Sequence, residues 1–282
     1  MTQRVKWWGW GDPSRHLELK PDFQNYLFDR LNISGRERET THTIPEILPP
    51  NPEVAKSLSG SKEDMDRLTH AAGKSYVDLV RMRKSKIDLA PDAVVWPKSV
   101  ADLERIFQVS HKEGWAVVPF GGGTSVLRGV EPISGSKKGV VTANLTKMDK
   151  ILSLDKTSNT AHIQAGIFGP ALESHLSSEG FELGHYPQSF EYSTLGGWIA
   201  ARSAGQNSTG YGRIDDLVVS LRAITPEGEI VWNWNTFDYL DVERVGYGLL
   251  EPYWWVRGFP GALDWTHGNG VTYDPYDSSI LV

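Results

Sequence analysis

The sequence predicts an α+β fold, and three observations support this class. Residues 93–123 follow a strand–helix–strand pattern in which the second strand ends at three consecutive glycines. Residues 139–167 contain short runs with the period-two alternation typical of strands. A further helix is expected to begin at Gly169-Pro170 and to end before Gly180. With 282 residues, the chain has enough material for one large or two ordinary domains.

The composition excludes several functional classes. The formal net charge is -6, so the chain lacks the surplus of Lys and Arg that nucleic acids or anionic membranes require. It contains no cysteine, which rules out disulfides and thiolate chemistry. No apolar run reaches membrane-spanning length, and residues 1–30 lack the apolar core of a secretory signal. The sequence therefore predicts a cytoplasmic protein with no nucleic-acid partner and no transmembrane segment.

The first 60 residues combine clustered aromatics with one amphipathic helix. Pro21 suits a first helical turn, and apolar residues recur at helical spacing as far as Leu31. Residues 6–12 carry several tryptophans, which we interpret as an anchor of the terminus to the domain body, with a ligand platform as the alternative. Residues 44–52 are rich in proline and are expected to be extended.

A second helix is expected from Ser61, as its N-cap, to about Met82, with acidic residues in the first turn. The basic run Arg81–Lys86 follows it. These cations complement the dipole at the C-terminal end of a helix, and contact with a phosphate is the alternative. The sequence leaves this choice open.

The remaining elements alternate between strands and helices. Ser99 is expected to cap a helix that ends near Gly114 and carries the apolar stripe Val100, Leu103, Ile106, Phe107 and Val109. The helix that Gly169-Pro170 starts is expected to run from Ala171 to about Glu179. Strands are expected at 93–96, 115–120, 139–145, 151–154 and 160–167, and a hairpin is expected to join 216–225 to 229–231 through a turn at 226–228.

The first motif with chemical content is Pro119-Phe-Gly-Gly-Gly-Thr-Ser125. Consecutive glycines can adopt positive φ and direct several backbone N–H groups at one point, which forms a nest for an anion. Thr124 and Ser125 can add hydroxyl donors to the same phosphate oxygens. A P-loop is excluded because no Lys follows the last glycine, and a dinucleotide fingerprint because no helix start follows. The motif predicts a diphosphate cradle, with a tight turn between strands as the alternative.

Residues 184–205 form the second motif. Its first half is rich in turn residues and hydroxyls, and its second half, from Leu195 to Ala204, has small residues at helical spacing. A helix start flanked by Ser and Thr suits an anion, and the paired glycines 196 and 197 let a flat ligand approach the backbone. His185 lies beside this motif, where a hydrogen bond to a ligand and a purely structural hydrogen bond are equal alternatives.

Taken in order, several segments resemble the FAD-binding domain of the vanillyl-alcohol oxidase and p-cresol methylhydroxylase (PCMH) superfamily. These segments are Trp96-Pro97, Pro119–Ser125, Gly184–Pro187, Ser193–Trp198 and Tyr211-Gly212 ahead of 216–219. The opening 6–11 and the helix near 63–82 look like the alkylglycerone-phosphate synthases (alkyldihydroxyacetonephosphate synthases) and their bacterial relatives. The resemblance covers about residues 4–231. It implies an FAD-binding PCMH-type domain, mainly its first lobe and part of the second, preceded by a helical N-terminal region and lacking the substrate-cap domain.

The resemblance implies non-covalently bound FAD and three groups of cofactor-binding residues. The first group would hold the diphosphate: Pro119, Phe120, Gly121, Gly122, Gly123, Thr124 and Ser125. The second would line the cofactor: Gln188, Ser189, Phe190, Glu191, Tyr192, Ser193 and Thr194. The third would complete the same cleft: Ala201, Arg202, Ser203 and Ala204. Many relatives carry Asp where this chain has Gln188. No catalytic residue is assigned, and the scattered histidines predict no metal site.

The implied reaction exchanges the acyl group of an acyl-dihydroxyacetone phosphate for a fatty alcohol, in ether-lipid synthesis, with no net redox change. The substrate would be a small or lipid-like molecule, and a homodimer is one possible assembly of a full-length chain. The chain as given is expected to be inactive, because the cap domain and the family's catalytic Tyr and His residues are missing. Two alternatives stay open: an FAD-linked oxidase or dehydrogenase of a small 2-hydroxy acid, and a non-catalytic fragment whose aromatic tail binds a partner.

The resemblance stops after Val231. Residues 232–282 are rich in Trp and have neither the 3.6 nor the 2.0 periodicity of helices and strands. A shifted reading frame or a misassembled gene explains this change more simply than a genuine aromatic appendage. The expected domains are a helical and extended region at 1–90, a partial FAD-binding domain at 91–231 and an atypical tail at 232–282. A sheet edge of the FAD-binding domain would then be partly unpaired.

Overall fold

The computed structural model describes residues 6–12, 14, 20–32, 47, 49–84 and 87–225, together with short strands at 232–235, 272–273 and 280–281. The chain divides into two compact units. Unit 1 comprises residues 1–97 and 109–145, and unit 2 comprises residues 98–108 and 146–282.

The described residues contain both helices and strands, as expected for an α+β chain. The helices are α1 (Pro21–Leu31), α2 (Pro52–Leu58), α3 (Asp64–Thr69), α4 (Tyr76–Arg83), α5 (Val100–Glu113), α6 (Gly169–Ser178), α7 (Leu195–Ala200), α8 (Ser208–Tyr211) and α9 (Ile214–Leu217), with a 3-10 turn at Leu145–Lys147. The strands are β1 (Ala93–Val95), β2 (Ala116–Phe120), β3 (Val140–Asn144), β4 (Ile151–Asp155), β5 (Thr160–Ile163), β6 (Ser220–Ala223), β7 (Trp232–Asn235), β8 (Thr272–Tyr273) and β9 (Ile280–Leu281). None of the helices in these ranges combines the length and apolarity that a membrane crossing demands.

A three-stranded parallel sheet forms the centre of unit 1. Its order is β1-β3-β2, so the strand–helix–strand unit predicted from the sequence places β3 between its two strands. All five residues of β3 are buried, and both Val94 and Val118 align with Thr142. Such near-continuous apolar runs are typical of parallel strands that are covered on both faces. The sheet therefore fixes the point at which β2 ends and the glycine motif begins.

The N-terminal aromatic segment is anchored to unit 1 as expected. Trp7 is only 4% exposed and packs with Leu68, Ala72 and Met82. The buried Lys74 ammonium donates to the backbone carbonyls of Lys6, at 2.9 Å, and Trp7, at 3.3 Å. The anchor interpretation is thus confirmed for Trp7.

The long helix expected between Ser61 and Met82 is wrong: the chain forms two short helices, α3 and α4, separated by Gly73. A Cβ atom at Gly73 would lie 2.1 Å from the carbonyl oxygen of Ser125, so the chain needs glycine where it passes this loop. Ser61 does not cap α3, whose N-cap is Glu63. Instead its hydroxyl donates to Asp66 at 2.5 Å. The break between the two helices brings the start of α4 next to the end of the glycine motif. Hydrophobic periodicity cannot predict it, because it depends on this long-range contact.

Unit 2 is built on an apolar core between helices and a hairpin. Strands β4 and β5 are antiparallel, and α6 and α7 contribute to the core. Its buried members are Ile167, Leu172, Leu176, Leu195, Trp198 and Ile214. The helix expected over 195–204 ends at Ala200, since the chain turns at Arg202 with a φ of +47°.

Two further differences from the sequence-based expectation concern the residues at which α2 and β6 begin. The extended connector expected over 44–52 ends one residue earlier, because Pro52 begins α2 (Pro52–Leu58) and Asn51 caps this helix by accepting from the Glu53 amide. Residues 214–217 form α9, so the hairpin strand β6 begins only at Ser220 and pairs antiparallel with β7. The expected turn at 226–228 and strand at 229–231 lie outside the described residues.

Candidate cofactor-binding site

The glycine motif, which follows strand β2, contains a row of backbone amides without protein hydrogen-bond acceptors. Within the part of the chain that the structure describes, the N–H groups of residues 121–125 donate to no other protein atom. Gly123 adopts a φ of +68°, a conformation that glycine takes without strain. Gly121 and Gly122 are half-buried, and Thr124 and Ser125 follow them with their hydroxyl groups. A concave row of free amides beside two hydroxyls is suited to an anion such as a phosphate.

Phe120 supports the motif from below. Its side chain is 6% exposed, and a Cβ atom at Gly123 would lie 2.4 Å from its ring. The ring centroid of His70 lies 4.4 Å from that of Phe120. His70 is itself fixed, since Nδ1 donates to the Asp66 carbonyl and Nε2 accepts from Asn144 Nδ2 at 2.8 Å. Burial lowers the pKa of His70, so the imidazole is neutral beneath the loop at pH 7.

The far end of the motif is tied to the segment between α3 and α4. The carbonyl oxygen of Ser125 accepts from the Lys74 amide at 2.7 Å. The hydroxyl of Ser125 accepts from the amides of Leu127, at 3.3 Å, and Gly129, at 3.0 Å. Because both are accepted bonds, the hydroxyl hydrogen of Ser125 is left for a ligand. The loop is therefore held at both ends while its donors face no protein acceptor.

The second motif is, by contrast, hydrogen-bonded to itself. The Ser193 hydroxyl donates to the Ser189 carbonyl at 2.8 Å and accepts from the indole N–H of Trp198 at 2.6 Å. Thr194 caps α7 by accepting from the Gly197 amide at 3.4 Å. Both side chains are buried, at 3% and 2% exposure. Gln188 and Glu191, in the same group of expected residues, are exposed.

The start of α7 does not form the anion site that its sequence suggests. The amide of Leu195 donates to the Ile167 carbonyl at 3.0 Å, and that of Gly196 donates to the Ala165 carbonyl at 2.8 Å. The Gly197 amide donates to the cap residue. All three N–H groups are thus used inside the protein, and the helix has only six residues. The paired glycines serve packing, since a Cβ atom at Gly196 would lie 2.7 Å from the Ala165 side chain.

The residues after α7 hold the chain in a turn. The Arg202 guanidinium binds the Asp215 carboxylate at 2.7 Å. The Ser203 hydroxyl lies 2.8 Å from Nε2 of His185, whose ring packs edge-on against Trp198. Ala201 and Ala204 are exposed. The hydrogen bond to Ser203 supports the structural interpretation of His185.

His185 retains one unused group. It is 1% exposed, and its Nδ1 finds no hydrogen-bond partner among the described residues. Burial lowers its pKa, which favours the neutral ring. An orphaned buried nitrogen beside residues 188–194 is an observation that a bound polar group would explain.

Glu173 is a supporting residue that sequence reasoning missed. It lies on α6 at 8% exposure, and its carboxylate accepts from the amides of Leu183, at 3.2 Å, and Gly184, at 3.0 Å. Burial raises its pKa. The carboxylate thus holds the chain next to His185. The one feature of the sequence that could have pointed to this role is that Glu173, an acidic residue, directly follows Leu172, which is buried.

The structure does not place all expected site residues in one unit. Residues 119–125 belong to unit 1, whereas 188–194 and 201–204 belong to unit 2. Unit 1 offers free amides for a diphosphate. In unit 2, the polar side chains of the expected site residues are largely hydrogen-bonded within the protein.

Comparison with protein families identifies the class. Residues 91–233, about half of the chain, match the family described as FAD binding domain. The chain belongs to this family, which confirms the PCMH-type resemblance found in the sequence.

Particular relatives narrow the resemblance. The alkyldihydroxyacetonephosphate synthase of Dictyostelium discoideum is 36% identical over 82% of this chain. A solved structure of an alkyldihydroxyacetonephosphate synthase superposes with a TM-score of 0.74 and 33% identity over 86% of this chain. The glycolate oxidase subunit GlcD of Bacillus subtilis is 30% identical over 57% of the chain. The chain spans 43% of the Dictyostelium enzyme and 50% of the solved structure, and thus about half the length of these synthases.

A second family match covers the tail. Residues 195–282 are similar to the family described as arylsulfotransferase. This range includes residues 232–282, for which the sequence showed neither periodicity nor resemblance, and it overlaps the end of the FAD-binding match. The change of pattern after Val231 thus coincides with the end of one family match and the continuation of another.

Proposed function

We propose that this chain is the FAD-binding half of a flavoprotein of the alkylglycerone-phosphate synthase type, and that it binds FAD without a covalent link. The single observation that carries the proposal is the row of free amides at residues 121–125, in a chain that belongs to an FAD-binding family. A diphosphate carries negative charge on closely spaced oxygens, and such a row of donors matches it without requiring a cation. The residues present therefore fit the cofactor that the family implies.

Each expected group has a distinct role in this proposal. Residues 121–123 donate backbone N–H groups, and Thr124 and Ser125 add hydroxyl donors, whereas Phe120 supports the loop. Residues 188–194 and 201–204 are the further cofactor-lining residues that the resemblance implies, with Gln188 offering an uncharged amide where many relatives have a carboxylate. When bound, FAD supplies the electrophilic ring system on which the family's chemistry depends.

The reaction we propose for the complete enzyme is exchange of the acyl group of an acyl-dihydroxyacetone phosphate for a fatty alcohol. Support comes from the similarity of this chain to alkyldihydroxyacetonephosphate synthases, which match more than four fifths of its length. The small or lipid-like substrate, the cytoplasmic location and the homodimer of a full-length form belong to the same proposal. Catalytic residues stay unassigned, and we expect no turnover from this chain by itself, because it matches about half of those enzymes.

Two specific observations favour other candidates. The match to a glycolate oxidase subunit favours an FAD-linked oxidoreductase of a small 2-hydroxy acid. The arylsulfotransferase match over residues 195–282 shows that the tail is similar to a second family, which keeps open the alternative of a non-catalytic fragment whose aromatic tail binds a partner. The proposed domains are accordingly 1–90, 91–231 and 232–282.

A purified sample of the whole chain tests the proposal. We expect weak or substoichiometric FAD, visible as flavin absorbance that appears in the supernatant after acid precipitation. Flavin that stays with the precipitate would contradict non-covalent binding. Absence of any saturable response when FAD is added would remove the proposal itself. Assays of acyl-for-alkyl exchange and of 2-hydroxy-acid oxidation, run on a version extended to the length of the relatives, then separate the first two candidates.

A further inference from the structure

Arg81 joins three carboxylates in unit 1. Its guanidinium lies 3.2 Å from Glu131, 3.5 Å from Asp88 and 3.9 Å from Asp78. The basic run that begins at Arg81 was left open in the sequence as either a solvated helix end or a phosphate contact. Arg81 lies in the last turn of α4, as the first alternative expects, but its side chain is only 29% exposed and is paired with these carboxylates.

Glu131 is the buried partner of this arginine. Its side chain is 2% exposed, and it also accepts from the Arg128 guanidinium at 2.7 Å and 2.6 Å. Arg128 is 58% exposed and has a φ of +62°. Glu131 closes the loop that follows Ser125. Glu131 therefore links two arginines, Arg81 from α4 and Arg128 from the loop itself, and only the pair with Arg81 ties the loop to another element.

Asp78 connects the same network to the other side of the loop. Its Oδ2 accepts from the amide of Ser75 at 3.1 Å and from the Ser75 hydroxyl at 2.7 Å, which closes a capping box on α4. The preceding residues Gly73 and Lys74 contact the Ser125 carbonyl. Asp78 thus helps to hold Ser125 through the cap and Glu131 through Arg81.

A water-sized cavity adjoins these side chains. Its volume is about 10 Å³, and Asp78, Arg81 and Glu131 are among the residues that line it. The Oδ1 atom of Asp78 is buried and has no hydrogen-bond partner among the described residues. A cavity of this size accommodates one water molecule, which would satisfy that oxygen. We therefore expect one ordered water molecule to complete the network.

We propose that Arg81 is a positioning residue for the cofactor cradle: with Asp78 and Glu131 it holds the segment Ser125–Glu131 in place, and with it the C-terminal end of the row of free amides at residues 121–125. Removing one partner of a buried charge pair leaves the other charges uncompensated, so the loop is expected to loosen locally. The effect on FAD rests on the proposed function. The effect on the loop does not.

The experiment compares Arg81→Met with Arg128→Met in the full chain by hydrogen exchange and mass spectrometry. Both variants remove an arginine from Glu131, but only the first separates Glu131 from α4. We expect the hydrogen-bonded amides that report on this loop, those of Lys74, Leu127, Gly129 and Glu131, to exchange about tenfold faster in Arg81→Met and within about twofold of the parent in Arg128→Met. Amides of β3 report on global opening of the unit. FAD affinity, from flavin fluorescence titration, should fall about tenfold in Arg81→Met alone.

Equal exchange of the loop in both variants, or no change in either, overturns the proposal. If Arg81→Met accelerates β3 as much as the loop, Arg81→Lys takes its place: it keeps a charge, and loop exchange between that of the parent and Arg81→Met is the supporting result. Parent-like FAD affinity in a variant with a loosened loop also overturns the positioning role. If the parent fails to bind FAD, the proposed function fails, and the exchange comparison still decides whether Arg81 holds the loop.

Discussion

The two motifs expected to bind the cofactor differ in how they use their hydrogen-bonding groups. In the glycine motif of unit 1, the amides of residues 121–125 donate to no described protein atom. In the second motif of unit 2, Ser193 and Thr194 are buried and use their hydroxyls within the protein. Both motifs look alike in sequence, since each combines small residues with Ser and Thr.

This difference separates a binding surface from a supporting one. Free amides that are already fixed in place pay little ordering entropy on meeting a phosphate, whereas the bonded groups of unit 2 must be broken before they can bind anything. Substitutions in the first motif should therefore act mainly on ligand affinity. Those in the second should act mainly on folding.

Gly123→Ala tests the first motif most severely. Alanine would sit at a φ of +68° with its Cβ 2.4 Å from the Phe120 ring. We expect FAD affinity to fall at least 30-fold, about 2 kcal/mol, and the free energy of unfolding to fall by about 2–4 kcal/mol. Fluorescence titration and chemical denaturation measure the two quantities.

Gly135→Ala is the matched control. Gly135 also has a positive φ, +58°, but a Cβ atom there would meet nothing within 4 Å. It therefore carries the backbone strain alone, about 1–2 kcal/mol. An equal loss of FAD affinity in both variants would show that strain anywhere in unit 1, and not the shape of the nest, governs binding.

Serine-to-alanine exchanges compare the motifs directly. Ser125→Ala removes a hydroxyl that is free to donate and should weaken FAD binding about tenfold, with little loss of stability. Ser193→Ala leaves the buried Trp198 indole N–H unpaired and should lower the free energy of unfolding by about 1–3 kcal/mol. Its FAD affinity should change less than that of Ser125→Ala. The reverse ranking in titration and denaturation would contradict the division of roles.

Local signals made much of this fold predictable. The helix from Val100 to Glu113, its cap at Ser99 and the strand before the glycines all follow from neighbouring residues, and the structure confirms them. What could not be predicted depends on long-range contacts. The break at Gly73 exists because Ser125 approaches it, and the pair of Arg81 and Glu131 joins residues 50 positions apart. The commitment of Ser193 to Trp198 is equally invisible in a motif that resembles a binding site.

The loss of stability at acidic pH should also differ between the two units, with a smaller effect than the substitutions above. Burial lowers the pKa of His70, so below its usual value near 6.5 the unfolded chain binds a proton that the folded chain lacks. Stability is therefore lost as pH falls through this window toward the folded pKa, with a slope of at most about 1.4 kcal/mol per pH unit for each such group. His185 contributes in the same direction, and Glu173, whose pKa is raised, in the opposite one.

His70→Gln should reduce that slope more than His185→Gln does. Both ring nitrogens of His70 are bonded, so protonating Nε2 would set an N–H group against the Asn144 amide. In His185 the unpaired Nδ1 can take the proton without losing a bond. Chemical denaturation at a series of pH values between about 5 and 7 measures how steeply the free energy of unfolding depends on pH. This range brackets the ordinary pKa of histidine. A larger change in the His185 variant would place the acid-sensitive site in unit 2.

Tyr211→Phe should have the smallest effect. The Tyr211 hydroxyl donates to the exposed Glu182 carboxylate, while its ring covers Gly184, where a Cβ atom would lie 2.3 Å from the ring. Phenylalanine keeps the ring and loses the hydrogen bond. Because the pair is solvent-exposed, we expect stability to fall by less than about 1 kcal/mol and FAD affinity to stay within about twofold. Tyr211→Ala, which removes the ring, should cost more in denaturation. If the phenylalanine variant instead loses FAD as strongly as Ser125→Ala, a polar contact in unit 2 serves the ligand, and that unit is more than a supporting wall.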